Sequence, residues 1–128
     1  PVTATESVSP VAAPDLSITK SVNPGVVAEN GQLTYTFLIE NYGNTEASAA
    51  DNVVITDTFN PILTGISVSY NGMAWAEPAN YTYNETNGSF ATVAGQITVP
   101  AATFTQDAVT GIITTTPGTA TVTVTGTI

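Results

Sequence analysis

The residues able to do chemistry in this chain are few. The 128 residues include ten acids, a single basic residue and no His or Cys. Without His or Cys there is no Ser-His-Asp or Cys-His relay and no zinc site of the usual ligands. The one basic residue is Lys20. It shares two-residue parity with Leu16 and Ile18, so a strand there turns the only cation inward, where an ammonium needs a counter-ion. Asp57 shares parity with Val53 and Ile55, again inward. If the first three strands alternate in direction, Lys20 and Asp57 lie at one end of a sandwich and can pair. Asn41 also has inward parity, at the far end of its strand from Lys20. Asp51, Asp57, Glu29 and Asp107 stand near loop ends but form no D-x-D-x-D calcium loop. Tyr70, Trp75, Tyr81 and Tyr83 gather in one stretch and offer either core packing, a subunit contact or a face on which a sugar could stack. Asn80, Asn84 and Asn87 each open an N-x-S/T triplet in the same stretch.

These residues must be positioned by strands. Charged residues make up 9% of the chain, against about 25% in ordinary soluble domains. Their place is taken by β-formers, among them 24 Thr, 14 Val and 9 Ile. A hydrophobic content of 42% and a mean hydropathy of +0.19 argue for a folded chain rather than a disordered one. No apolar run is long enough to span a membrane as a helix. The net charge of −9 opposes nucleic acid and anionic lipid. A start at Pro1 rather than Met reads as a processed form or a piece of a longer chain. No cofactor and no metal are expected, and an enzyme is not.

Residues 1–14, PVTATESVSPVAAP, read as an extended arm or linker, with Val2, Ala4 and Val8 in a loose two-residue period. Strands follow from Leu16, over Gln32–Glu40 with Leu33, Tyr35, Phe37 and Ile39 on one face, and over Asn52–Thr58. Asn71-Gly72 is a strong hairpin signal between Ile66–Tyr70 and Met73–Ala76. Further turns at Asn84–Gly88 and Asp107–Gly111 join Tyr81–Tyr83 to Phe90–Val93 and Thr103–Gln106 to Ile112–Thr115. Gln96–Val99 is a further short strand before the break at Pro100, and Pro117-Gly118 leads into the last strand. Eight or more short strands with regular turns predict an antiparallel β-sandwich over residues 15–128 and essentially no helix.

The segments DLSITKSVNPG, GQLTYTFLIENYGNTEA and NVVITDTFNPILTG resemble the bacterial surface repeat called domain of unknown function eleven. The matching positions are Thr19-Lys20, Gly31 with Thr34-Tyr35, Asn41 with Gly43, and Val53, Ile55 and Asp57-Thr58, all within about residues 15–65. The remainder looks like a clostridial-type version of that repeat. The resemblance implies an immunoglobulin-like fold and a place outside the cell, on a bacterial cell or spore surface. It also implies a structural role, because the family is mostly tandem spacer and assembly domains, some resembling subunits of spore appendages and other extracellular fibres.

Related pilin domains with a similar Lys strand and Asp-Thr-Leu layout join Lys to Asn or Asp through an isopeptide bond. In this chain the stretch that would supply the Asn reads Gly118-Thr119-Ala120. Two readings of Lys20 and Asp57 are therefore open: a partly buried ion pair, or a direct amide assisted by Glu29. The arm carries its own expectation. With Val2, Ala4, Val8 and Val11 as docking residues it could add as a strand to the sheet of a neighbouring copy. The expected function is a non-enzymatic subunit of a fibre, spore appendage or surface layer, with copies of itself as partners. The alternative is an adhesin-type repeat that binds a glycan or protein ligand through the Trp75–Tyr83 region.

Overall fold

The computed structural model describes residues 12–128. Ten strands form three antiparallel sheets, and a single 3-10 turn at Ala49–Asp51 is the only helical element among the described residues. β1 (Leu16–Asn23), β2 (Gln32–Asn41), β10 (Gly118–Thr127), β4 (Thr64–Tyr70) and β5 (Met73–Trp75) make a five-stranded sheet in that spatial order. β3 (Thr56–Thr58), β7 (Ser89–Thr92) and β6 (Tyr81–Asn84) make a second sheet, and β8 (Thr103–Gln106) pairs only with β9 (Ile113–Thr116). The chain is thus all-β and sandwich-like, with the first two sheets closing on a shared core.

Alternation builds that core. Leu33, Tyr35, Phe37 and Ile39 of β2 are buried, and their ladder partners Ala120, Val122 and Val124 of β10 are buried beside them. Polar residues occupy the other face, where Thr34 and Thr125 join hydroxyls at 3.0 Å across the same ladder. The second sheet supplies Phe90 and Tyr81, and Phe59 follows β3 into the centre. Phe59 stacks on Tyr35 with ring centroids 4.8 Å apart and meets Phe90 at 5.5 Å, so aromatic rings bridge the two sheets.

Two expected strands are shorter than their apolar pattern. Asn52–Thr58 is a strand only from Thr56, because Asn52 takes a left-handed conformation with φ 54° and Ile55 donates its N–H to the Thr92 hydroxyl, not to a main-chain carbonyl. Gln96–Val99 is not a strand. It contributes one bridge, Val99 to Ala47, and the Tyr70 hydroxyl takes the place of a neighbouring strand at Thr98, binding both its N–H and its carbonyl.

The body has two distinct ends. At one, the β1–β2 ladder runs on past Leu16: Tyr42 donates to the Asp15 carbonyl at 2.8 Å, and Gly43 packs so closely on Ala13–Asp15 that a side chain there has no room. The β8–β9 hairpin is rooted at this same end, where Ala102 donates to the Gly43 carbonyl and Gly118 lies against Pro100. Ile128 closes the other end through reciprocal bonds with Asn30 and Gly31. Ten-residue strands β2 and β10 separate the ends by about 31 Å.

Candidate functional site

The most distinctive place on the molecule is a cleft along β1. β1 pairs with β2 on one side only, and all eight of its residues are exposed. Ladder register puts Leu16, Ile18, Lys20 and Val22 opposite the buried Asn41, Ile39, Phe37 and Tyr35, so these four belong to the inner face. They are nevertheless uncovered, Ile18 at 53% exposure, because the second sheet ends at β3, entered through Val53–Ile55, and does not reach over them. Val54 on the facing segment is 44% exposed. The gap contains a cavity of about 360 Å³ between Ile18, Lys20, Phe37 and Val54–Asp57, continued by one of about 180 Å³ between Leu16, Ile39 and Val53. Both walls are apolar strand-like edges, and the sandwich stands open between them.

Lys20 and Asp57 close the floor of that cleft. Lys20 Nζ lies 2.5 Å from Asp57 Oδ2 and over the Tyr35 ring, 4.6 Å from its centroid, with the Phe59 ring at 5.9 Å. The ammonium is therefore held by a carboxylate and two aromatic faces. Asp57 Oδ1 accepts the Thr58 N–H at 2.8 Å, whereas Oδ2 is buried and has the ammonium as its only compensation. The side chains of Lys20 and Asp57 are 40% and 21% exposed. Among the described residues no second carboxylate lies within 4 Å of Lys20 Nζ, and Glu29 sits exposed in the β1–β2 connection. The arrangement is an ion pair at the floor of an apolar groove, and among the described residues no second acid pairs with the ammonium to carry the protons that amide formation moves.

Asn41, inward and fully buried, is the polar knot of the end where the chain enters. Its Oδ1 accepts N–H groups from Asp15 at 3.0 Å and Gly43 at 2.9 Å, and its Nδ2 donates to the carbonyls of Thr45 at 2.8 Å and Val99 at 3.4 Å. One side chain thus fixes the first residues of β1, the loop after β2 and the segment before the β8–β9 hairpin. Its inward parity was visible in the sequence; the three segments converging on it were not.

The four aromatics of the hairpin region separate in space. Tyr70 and Trp75 stack at 4.8 Å on the β4–β5 edge, with the Tyr70 hydroxyl bound to Thr98. Tyr81 is buried against Phe90, and Tyr83 packs on Phe59 with its hydroxyl donating to the Leu63 carbonyl. Burial pushes the phenol pKa of both Tyr81 and Tyr83 up. They do not form one open face for a sugar. Asn80, Asn84 and Asn87 use their side-chain carbonyls to accept turn N–H groups. Asp107 does the same for Val109 and Thr110, which lowers its pKa. Among the described residues no three acids converge as a metal site, and no helix is long and apolar enough to cross a membrane. Val2, Ala4, Val8 and Val11 lie outside the described residues.

No family model matches the chain, and no curated protein or solved structure is detectably similar to it.

Proposed function

We propose that this chain is a non-enzymatic structural subunit of an extracellular bacterial fibre, spore appendage or surface layer, built on an immunoglobulin-like sandwich and joined head to tail by strand addition of the N-terminal arm, residues 1–14. The observation that carries the reading is axial. The chain enters the body at the Asp15 end and residue 128 lies at the other, about 31 Å away, which suits bodies that follow one another in line.

Two features add support. β1 is an uncovered edge with an apolar inner face, which recruits another strand. The β8–β9 hairpin has no third strand among the described residues and exposes Phe104, Ile112 and Ile113, although two strands alone are only marginally stable in water. The motifs shared with the surface repeats point the same way, and a chain with one basic residue gives trypsin-like proteases almost nothing to cut.

Electron microscopy tests the reading. Purified full-length chain should form filaments or end-to-end chains, and a variant lacking residues 1–14 should remain single particles. Single particles from both, across the accessible concentration range, would overturn it.

A further inference from the structure

The acceptor for the arm can be specified, on the footing of the head-to-tail reading. We infer that residues 2–8 of one copy dock as a strand in the β1 cleft of the next, parallel to β1, with Glu6 beside Lys20.

Direction comes from the way the chain enters. Ala13, Asp15 and Tyr42 continue the β1–β2 ladder in line with β1, past the end of the body, through the 2.8 Å Tyr42–Asp15 bond and the contacts of Ala13 and Asp15 with Asn44 and Asn41. A chain continued along that line leads away from its own cleft and toward the opposite end of a copy stacked above. A segment that continues without reversing reaches that copy with its N-to-C direction the same as that of β1. Val53 to Asp57, the other wall, runs the same way, since Val53 faces Leu16 and Asp57 meets Lys20.

Register comes from charge and side-chain parity. Residues 2–9 read Val-Thr-Ala-Thr-Glu-Ser-Val-Ser, so Val2, Ala4, Glu6 and Val8 share one face and Thr or Ser fills the other. Glu6 is the only charge among the first fourteen residues, and Lys20 is the only cation in a chain of net charge −9. Two bodies this acidic need that cation wherever a carboxylate is to be buried between them. Asp57 engages one of the three ammonium donors, and the Lys20 side chain lines the cleft and is 40% exposed. Setting Glu6 beside Lys20 in parallel pairs Val2 with Leu16, Ala4 with Ile18 and Val8 with Val22, covering every uncovered inner residue of β1. Pro10, Val11 and Pro14 then fall in the joint, where a missing N–H costs no ladder bond. The antiparallel alternative puts Pro10 inside the ladder.

The register fixes the spacing. Val2 of one copy stands beside Leu16 of the next, an offset of fourteen residues, so an extended chain gives an axial repeat of about 46 Å. That exceeds the strand length of the body by enough to hold the end loops and the root of the β8–β9 hairpin.

Because the chain has no cysteine, engineered pairs report the joint without background. The full-length variant A4C/I18C, mildly oxidised, should give a ladder of covalent multimers, about fivefold or more above A4C/V22C, since only the parallel register brings positions 4 and 18 within disulfide reach. Ile18 is an exposed position, so the variant should keep the β-sheet circular dichroism of the parent. A cyclised monomer would show that the segment fills its own cleft, and a preference for A4C/V22C would show the antiparallel register; either overturns the inference. Filaments seen in the same sample without crosslinks would overturn the inference and leave the fibre reading standing, whereas absence of both would remove the two together.

Discussion

Replacing Asn41 with alanine should loosen the end of the body from which the arm departs. The side chain is fully buried and makes three hydrogen bonds of 2.8–3.0 Å, to Asp15, Gly43 and Thr45, with a fourth at 3.4 Å to Val99. Alanine removes all four and strands their partners, each stranded group costing about 1–3 kcal/mol where water cannot enter. The bonds to Asp15, Gly43 and Thr45 are only partly buried and the buried one to Val99 is long, so each counts at the low end of that range, about 1 kcal/mol. The expected loss is about 4 kcal/mol, a large share of the 5–15 kcal/mol that holds a typical domain. With a urea dependence of about 2 kcal/mol per molar, the unfolding midpoint followed by Trp75 fluorescence should fall by about 2 M. Asn44→Ala is the control. Its carbonyl accepts from Ala13 at 3.3 Å on an exposed surface, and its loss should cost about 0.5 kcal/mol. A midpoint for Asn41→Ala within about 0.5 M of the Asn44→Ala value would refute the account of Asn41 as the tie between three segments.

Two further outcomes follow from named contacts. With no second acid paired to the Lys20 ammonium among the described residues, the intact mass of the purified chain should equal the sequence mass, and a mass short by one water would show an amide in place of the ion pair. Tyr81 and Tyr83 have pKa values raised above 10.0 by burial, so their contribution to stability is complete below pH 10.0 and is lost as the pH rises through their folded values. Urea midpoints measured from pH 8 upward should therefore hold steady and then decline above about pH 10. The double variant Tyr81→Phe/Tyr83→Phe should flatten that decline, and an unchanged slope would place its origin elsewhere.

Much of this molecule is legible in one dimension. Alternation of Leu33, Tyr35, Phe37 and Ile39 with polar neighbours defines both β2 and its buried face, because side chains on a strand repeat every two residues. Asn71-Gly72 defines the β4–β5 hairpin, since both residues tolerate positive φ, and both have it. Parity and alternating strand direction bring Lys20 to Asp57 before any coordinate is known.

The tertiary structure decided everything that depends on which strands lack neighbours. No local pattern tells that β10 slots between β2 and β4, or that the second sheet stops short of β1. An inward residue such as Ile18 has the same sequence signature whether or not a facing strand covers it. Local periodicity records the face a side chain takes, while burial depends on a partner that is distant in sequence. Hydrogen bonds by side chains from afar likewise replaced ladder bonds in two expected strands, Thr92 at Ile55 and Tyr70 at Thr98. The sequence determined most of the strands, their faces and the lone cation among acids. Only the packed sheets decided that this cation lies in an open cleft, because an uncovered edge is a property of the whole arrangement and of no single strand.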